Sequence, residues 1–348
     1  MRREFYDTLL SPGLWLICAL LAALPLFLSG YHLQIVTLAL TYAALASAWN
    51  IVGGMGGMLS LAHSLFVGIG GMFASALLIR CGINMWVGSL GAAILAAGAG
   101  CLVAWIGWRF RLGHLLFALI TLAFAEMASI VAMNCEFLGG ASGLFLPPDK
   151  GRFIAFEFGG MHGTYWVMLL LAAGCIVSNL AVLNLPLGYR LRAVRDNADA
   201  AQAIGVPLLR TQVVAMAVSA FLTSIVGSVY ARYLSFVDPQ LLVSPTLTVE
   251  IVLFATVGGL GRPFGPALGA LILLPVGEVL RGQFGGALPG LHYFIYGLVV
   301  IVVVRFAPRG VLPTINGGWS KFRARRADRI VHAGTNTGVS VTSGAGQN

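Results

Sequence analysis

The chain has 348 residues, 58% of them hydrophobic and only 9% charged, with a net charge of +9. Its mean hydropathy is +0.90. An ordinary soluble domain carries about 25% charged residues, so this composition excludes a soluble fold and implies an all-α polytopic membrane protein. The positive charge does not point to nucleic acid, because the basic residues stand at the ends of apolar runs, where they set topology.

A membrane-crossing helix needs about 20 apolar residues. Along the chain, about ten stretches qualify: 13–30, 34–52, 63–80, 85–107, 113–133, 164–184, 207–234, 246–261, 264–281 and 290–306. The first has a basic start like a secretory signal. Its apolar core is long and no clear small-x-small cleavage site follows, so it reads as a retained helix. Glycine and proline interrupt or crowd the third, eighth and ninth stretches. Glycine numbers 45 residues, roughly twice ordinary usage. Membrane bundles use it for close helix crossings and for broken helices near substrate sites. The five cysteines, Cys18, Cys81, Cys101, Cys135 and Cys175, form no CxxC pair and read as packing residues.

With the N-terminus placed in the cytoplasm and the spans alternating, 16 Lys and Arg fall inside and 5 outside, a clear positive-inside bias. Both termini are basic, which supports an even number of spans. Residues 134–163 are then external and 188–206 cytoplasmic. Residues 1–306 form the transmembrane domain. Residues 307–348 form a basic cytoplasmic tail whose end, "AGTNTGVSVTSGAGQN", has a disordered composition.

The stretch 188–206, "GYRLRAVRDNADAAQAIGV", is polar between two membrane-length runs. Read as one helix, it places Val194, Ala198, Ala201 and Gly205 on a single small-residue face. It is either a solvated connector or a surface that lets another chain approach closely. It resembles the cytoplasmic coupling segment of permease subunits in the branched-chain amino acid family of ABC importers. Gly188, Arg192, Ala193, Val194, Arg195, Asp196, Asn197, Ala200, Ala201 and Gly205 match the family pattern. Three further stretches match in order: 50–70, "NIVGGMGGMLSLAHSLFVGIG"; 139–147, "GGASGLFLP"; and 257–270, "VGGLGRPFGPALGA". Ala62 stands where glycine is usual in the family, Ser64 where alanine is, and Gly71-Met72 replace a common Ala-Tyr.

The resemblance implies a bacterial inner-membrane, multi-pass permease subunit of an ATP-driven importer for branched-chain amino acids or related small polar solutes. It implies separate ATP-binding cassette ATPase subunits, a second related permease and an external binding protein as partners. In this reading Arg192, Val194, Arg195, Asp196, Ala198, Ala201 and Gly205 meet the ATPase.

The chain itself offers no catalytic set. It has two lysines, Lys150 and Lys321, and neither follows a glycine, so no phosphate-binding loop exists. ATP hydrolysis is therefore expected on another chain, and no cofactor is called for. His63 has no second ligand at helical spacing, which argues against a metal site. It either bonds backbone carbonyls freed by the glycine-rich break or lines a solute pathway, and Asn50 and Ser60 face the same choice. Gly53, Gly54, Gly56 and Gly57 form one break, with Phe66 following it; Gly258, Gly259 and Gly261 form another. Both are expected to be pathway elements, with tight helix crossings as the alternative. Among the carboxylates, Glu278 and Arg281 are spaced for a local ion pair. Glu126 stands alone in its span. The competing class is an ion-coupled secondary transporter, which also uses broken helices.

Overall fold

A computed structural model describes residues 30–284 apart from 154 and 155, together with 21–25, 27, 28, 297, 298, 301, 305 and 310. The expected spans 13–30 and 290–306 and the tail 307–348 lie largely outside the described residues. Within them, eight helices are long and apolar enough to cross a membrane, and an all-α polytopic membrane protein is what they form.

In chain order these are α1, Tyr31–Met55, with Ile51–Met55 in π-helical form; α2, His63–Cys81, with a π-helical Ile69–Phe73; and α3, Met85–Arg109. Next come α4, His114–Asn134, and α5, Met161–Asn184. Two short helices follow, α6, Pro186–Asp196, and α7, Ala198–Ala203. The remainder are α8, Leu208–Leu234; α9, Pro239–Leu242, which leads into α10, Pro245–Gly258; and α11, Gly265–Phe284. A two-residue antiparallel pairing joins β1, Leu144–Phe145, to β2, Phe236–Val237.

Helix starts follow their local chemistry. The Asn84 side chain accepts from Trp86 N at the head of α3, and Ser244 accepts from Leu247 N ahead of Pro245 in α10. Each satisfies a donor that the helix leaves unpaired. α1 is the centre of the bundle: 89% of its apolar window is buried, against 33% for α3, α4 and α5. It packs on α5, α8, α10 and α11. The outer helices turn residues such as Leu115, Leu119 and Ile130 outward, as lipid contact requires.

Glycine sets the close crossings. A Cβ at Gly227 of α8 would lie 2.5 Å from the Val67 carbonyl oxygen of α2. One at Gly269 of α11 would lie 2.8 Å from Gly258 N. With no side chain in the way, backbones meet directly, which is how membrane helices gain contact area without a hydrophobic driving force.

One expectation is corrected. Residues 188–206 are not a single helix. Asn197 has extended backbone (φ −161°, ψ 109°), ends α6, and caps α7 by accepting from Ala200 N at 3.0 Å. A short polar side chain that can satisfy a helix N-terminus favours a new start over continuation. The expected shared face is therefore not formed. Val194 and Ala201 are buried within the chain, Ala198 is partly exposed, and Gly205 is exposed with φ +89°.

Candidate functional site

The two glycine-rich breaks and the polar segment meet at one end of the bundle. α1 ends in its π-helical turn, and the chain reverses through residues 56–62 before α2 begins. Gly57 has φ +68° and Gly261 has φ +72°, a left-handed backbone that costs an L-residue about 1–2 kcal/mol. Between them lies Arg195 of α6. Its Nη1 donates to the Gly54 carbonyl oxygen at 3.0 Å. A Cβ on Gly57 would stand 2.5 Å from Arg195 Cγ, and one on Gly261 would stand 3.0 Å from Nη1.

Asn50 ties the node from within. Its Oδ1 accepts from Gly261 N at 2.9 Å, while Nδ2 donates to Asn179 Oδ1 at 2.9 Å and to the Arg262 carbonyl at 3.1 Å. Asn179 of α5 in turn donates to the carbonyls of Ser47 and Cys175. Three separate parts of the chain, α1, α5 and the turn at 261–262, are thus joined by buried amides that are close to saturated. α6 adds an apolar grip: Leu191 is fully buried beside Met55, Met58 and Phe66. Arg192 donates to the carbonyls of Leu183 and Gly188, fastening α6 to the end of α5. Asp196 is exposed and makes a 3.4 Å pair with Arg195; such surface pairs contribute little. A cavity of about 380 Å³ lies at this end, lined by Gly56, Arg111, His114, Arg195, Asp196 and Asp199 among others.

Further into the bundle, Ser60, His63 and Phe66 are fully buried. His63 does not bond a freed backbone carbonyl directly, one of the two possibilities open from sequence. Ser219 of α8 donates its single proton to the Ala48 carbonyl at 2.7 Å, so its oxygen accepts from His63 Nε2 at 2.8 Å. The proton is thereby assigned to Nε2, and Nδ1 faces no partner. Six buried side-chain polar atoms among the described residues lack a partner. Five of them, Ser47 Oγ, His63 Nδ1, Ser64 Oγ, Thr223 Oγ1 and Ser224 Oγ, lie on α1, α2 and α8. Polar side chains held inside a membrane bundle are costly and make this cluster a candidate functional site.

The opposite end is built by the 139–160 loop. The β1–β2 pairing pins it to the end of α8. Burial raises the Asp149 carboxyl, but backbone N–H bonds from Gly151, Gly160, Gly159 and Phe158 outweigh it and hold the pKa below its ordinary value. The Arg152 guanidinium, 3.4 Å away, and the N–H groups of Arg152 and Lys150 likewise lower Glu157.

The structure thus brings Asn50, Gly54, Gly57, Gly261 and Arg195 into contact and buries Ser60, His63 and Phe66 nearby. Gly258 serves the α10–α11 crossing. Among the carboxylates, Glu278 makes the expected pair with Arg281 at 3.7 Å, and Glu250 accepts from Tyr42 OH at 2.6 Å. Glu126 is exposed near the middle of α4. Cys81 is exposed rather than packed. Sequence reading missed Asn179, Ser219, Thr223, Ser224 and Leu191. The hydroxyls at 219 and 223, one helical turn apart in an apolar span, were a usable signal.

Eight apolar spans among the described residues, two breaks at one end, and a buried polar track define a polytopic membrane transport protein. The family model described as "Branched-chain amino acid transport system / permease component" matches residues 31–304, and the chain belongs to that family. It is 28% identical over 324 residues to the high-affinity branched-chain amino acid transport system permease protein LivM of Escherichia coli (strain K12), covering 85% of this chain and 73% of that one. It is 27% identical to LivM of Salmonella typhimurium, over 84% of this chain and 72% of that one. A probable LivM from Methanocaldococcus jannaschii is 24% identical, over 74% of this chain and 81% of that one. No solved structure matches the chain significantly. The chain is a permease subunit of an ABC importer, and its family implies ATPase and binding-protein partners.

Proposed function

We propose that this permease carries branched-chain amino acids or related small polar solutes across a bacterial inner membrane. In this reading α6 and α7 are the cytoplasmic coupling segment, and the 139–160 loop lies outside. The charge asymmetry of the basic residues supports that orientation. The observation that carries the mechanism is the Arg195 node. A partner ATPase that displaces α6 pulls on the Gly54 carbonyl and on both left-handed turns at once. The hinge then opens the polar track of Asn50, Ser60, His63, Ser219, Thr223 and Ser224 to one side. The ATPase meets the exposed side of the segment, where Ile204 is 79% exposed beside Ala200 and Ala203.

A second permease covers α4. Glu126 is exposed there among Leu119, Met127 and Ile130, and a carboxylate facing hydrocarbon costs about 2.5–3.5 kcal/mol. The test is uptake of L-leucine into vesicles carrying the purified permease with its ATPase and binding protein. Uptake should require ATP and survive collapse of ion gradients by ionophores. Uptake abolished by ionophores at constant ATP would overturn the mechanism.

A further inference from the structure

The sixth buried polar atom without a partner is Nη2 of Arg232, in the last turn of α8 at the β1–β2 end. Arg232 is only 5% exposed. Its Nη1 donates to the Pro147 carbonyl at 2.7 Å, and no carboxylate among the described residues stands within ion-pair distance of it. A basic residue at a helix C-terminus is favourable in itself, yet such a residue ordinarily extends into water. This one is held inside and lines a cavity of about 220 Å³ with Lys150, Arg152, Glu157, Phe156 and Met85.

The charges around that cavity do not cancel. Glu157 is its one lining carboxylate, and it is already engaged by the Arg152 guanidinium and by two backbone N–H groups. Among the described residues, buried Arg232 has no counter-charge, and the exposed Lys150 pairs with no carboxylate. The wall is pre-formed: Asp149 gathers four backbone N–H groups across residues 151–160, and the β1–β2 pairing fixes the approach to it. Whole-ligand sites usually measure about 300–1,000 Å³, so this cavity suits one head group with a short apolar neighbour.

We propose that Arg232 and Lys150 form a carboxylate-binding subsite for the small solute, at the end of the bundle where the external partner delivers it. The carboxylate accepts from Arg232 and from the Lys150 ammonium, in charge-assisted hydrogen bonds. The solute's apolar portion rests against Met85 and Phe156. The assignment of the solute and of that end as external rests on the importer reading above.

The experiment uses the full transporter in lipid nanodiscs, with Pro148→Cys as its one cysteine; position 148 is exposed and lines the cavity. Labelling by an anionic thiosulfonate is expected to outpace that by a cationic one, relative to a free thiol. L-leucine at ten times its half-effect concentration should slow labelling about tenfold, by simple occupancy, whereas L-leucinamide, which lacks the carboxylate, should not. Arg232→Gln should raise that half-effect concentration roughly tenfold, the scale of a hydrogen bond to a charged group, and Arg232→Lys should restore part of it. The leucine–leucinamide comparison keeps Arg232 and stands even if the glutamine variant fails to assemble. Equal slowing by leucinamide, equal slowing by inorganic phosphate, or no slowing by leucine overturns the carboxylate subsite. ATP-driven uptake is measured separately. Protection by leucine without uptake supports the subsite and removes only the importer reading.

Discussion

Gly57→Ala probes the junction between the coupling segment and the first glycine break. The added Cβ meets two obstacles. The left-handed backbone, φ +68°, costs alanine about 1–2 kcal/mol. The Cβ would also stand 2.5 Å from Arg195 Cγ and 3.1 Å from Arg195 Cβ, so the arginine must move and release the Gly54 carbonyl. A hydrogen bond to a charged group contributes about 1.5–3 kcal/mol. The Arg195 side chain is 38% exposed, so the lower end of that range applies. The two effects together come to about 2.5–3.5 kcal/mol, or roughly a 60- to 300-fold shift in the fraction of molecules with the node intact. The assay is uptake and ATP hydrolysis measured on the same reconstituted vesicles. Solute moved per ATP should fall steeply while hydrolysis continues. Gly98→Ala, where a Cβ meets nothing within 4 Å, is the matched control and should be neutral or slightly stabilising. Unchanged coupling in Gly57→Ala would refute the node as a mechanical joint.

Further outcomes follow from the same geometry. Ile204→Asp should reduce ATPase retained on the purified permease with the permease itself intact; Ala201→Glu, which buries a charge inside this chain, should instead reduce the amount of folded permease. A cysteine at Glu126 should crosslink to the second permease, and a crosslink only to lipid-soluble probes would remove that interface. Asp149 and Glu157 have folded pKa values below their ordinary 3.8 and 4.5. Their contribution is therefore fully present above those values and is lost as pH falls through the lower folded ones. Trp86, whose Nε1 donates to the Phe153 carbonyl at 2.8 Å, reports on this loop. Its emission should hold steady from neutral pH to about 5 and change in acid, whereas Asp149→Asn should already differ at neutral pH.

What the sequence disclosed follows the range of its signals. Membrane spans are written in local hydropathy, and those that fall within the described residues correspond to observed helices. The polar segment 188–206 showed itself as charge inside an apolar run. Its break at Asn197 was concealed because Asp196, Ala198 and Asp199 continue a helical pattern on either side; only the capping preference of asparagine argued otherwise. The glycine clusters were recognisable as breaks, but their position was not. Arg195 reaches Gly54 across 141 residues of chain, and no local pattern encodes such a contact. Arg232 read only as a topology charge, since its burial depends on a loop 85 residues away at Pro147 folding over it. The polar track was half visible: His63 and Asn50 stood out, whereas the serines and threonines of α8 blended into an apolar helix that tolerates them.

The most direct measurement of the central claim, that Arg195 carries motion from the coupling segment to the broken helices, is Arg195→Ala in the fully assembled transporter, with ATP hydrolysis and L-leucine uptake followed together. Ile204 and the exposed surface of α7 are untouched by this change, so the ATPase should stay bound and hydrolyse ATP while uptake falls at least about tenfold, the equivalent of 1.4 kcal/mol. Uptake and hydrolysis that remain coupled as in the unmodified protein would contradict the account.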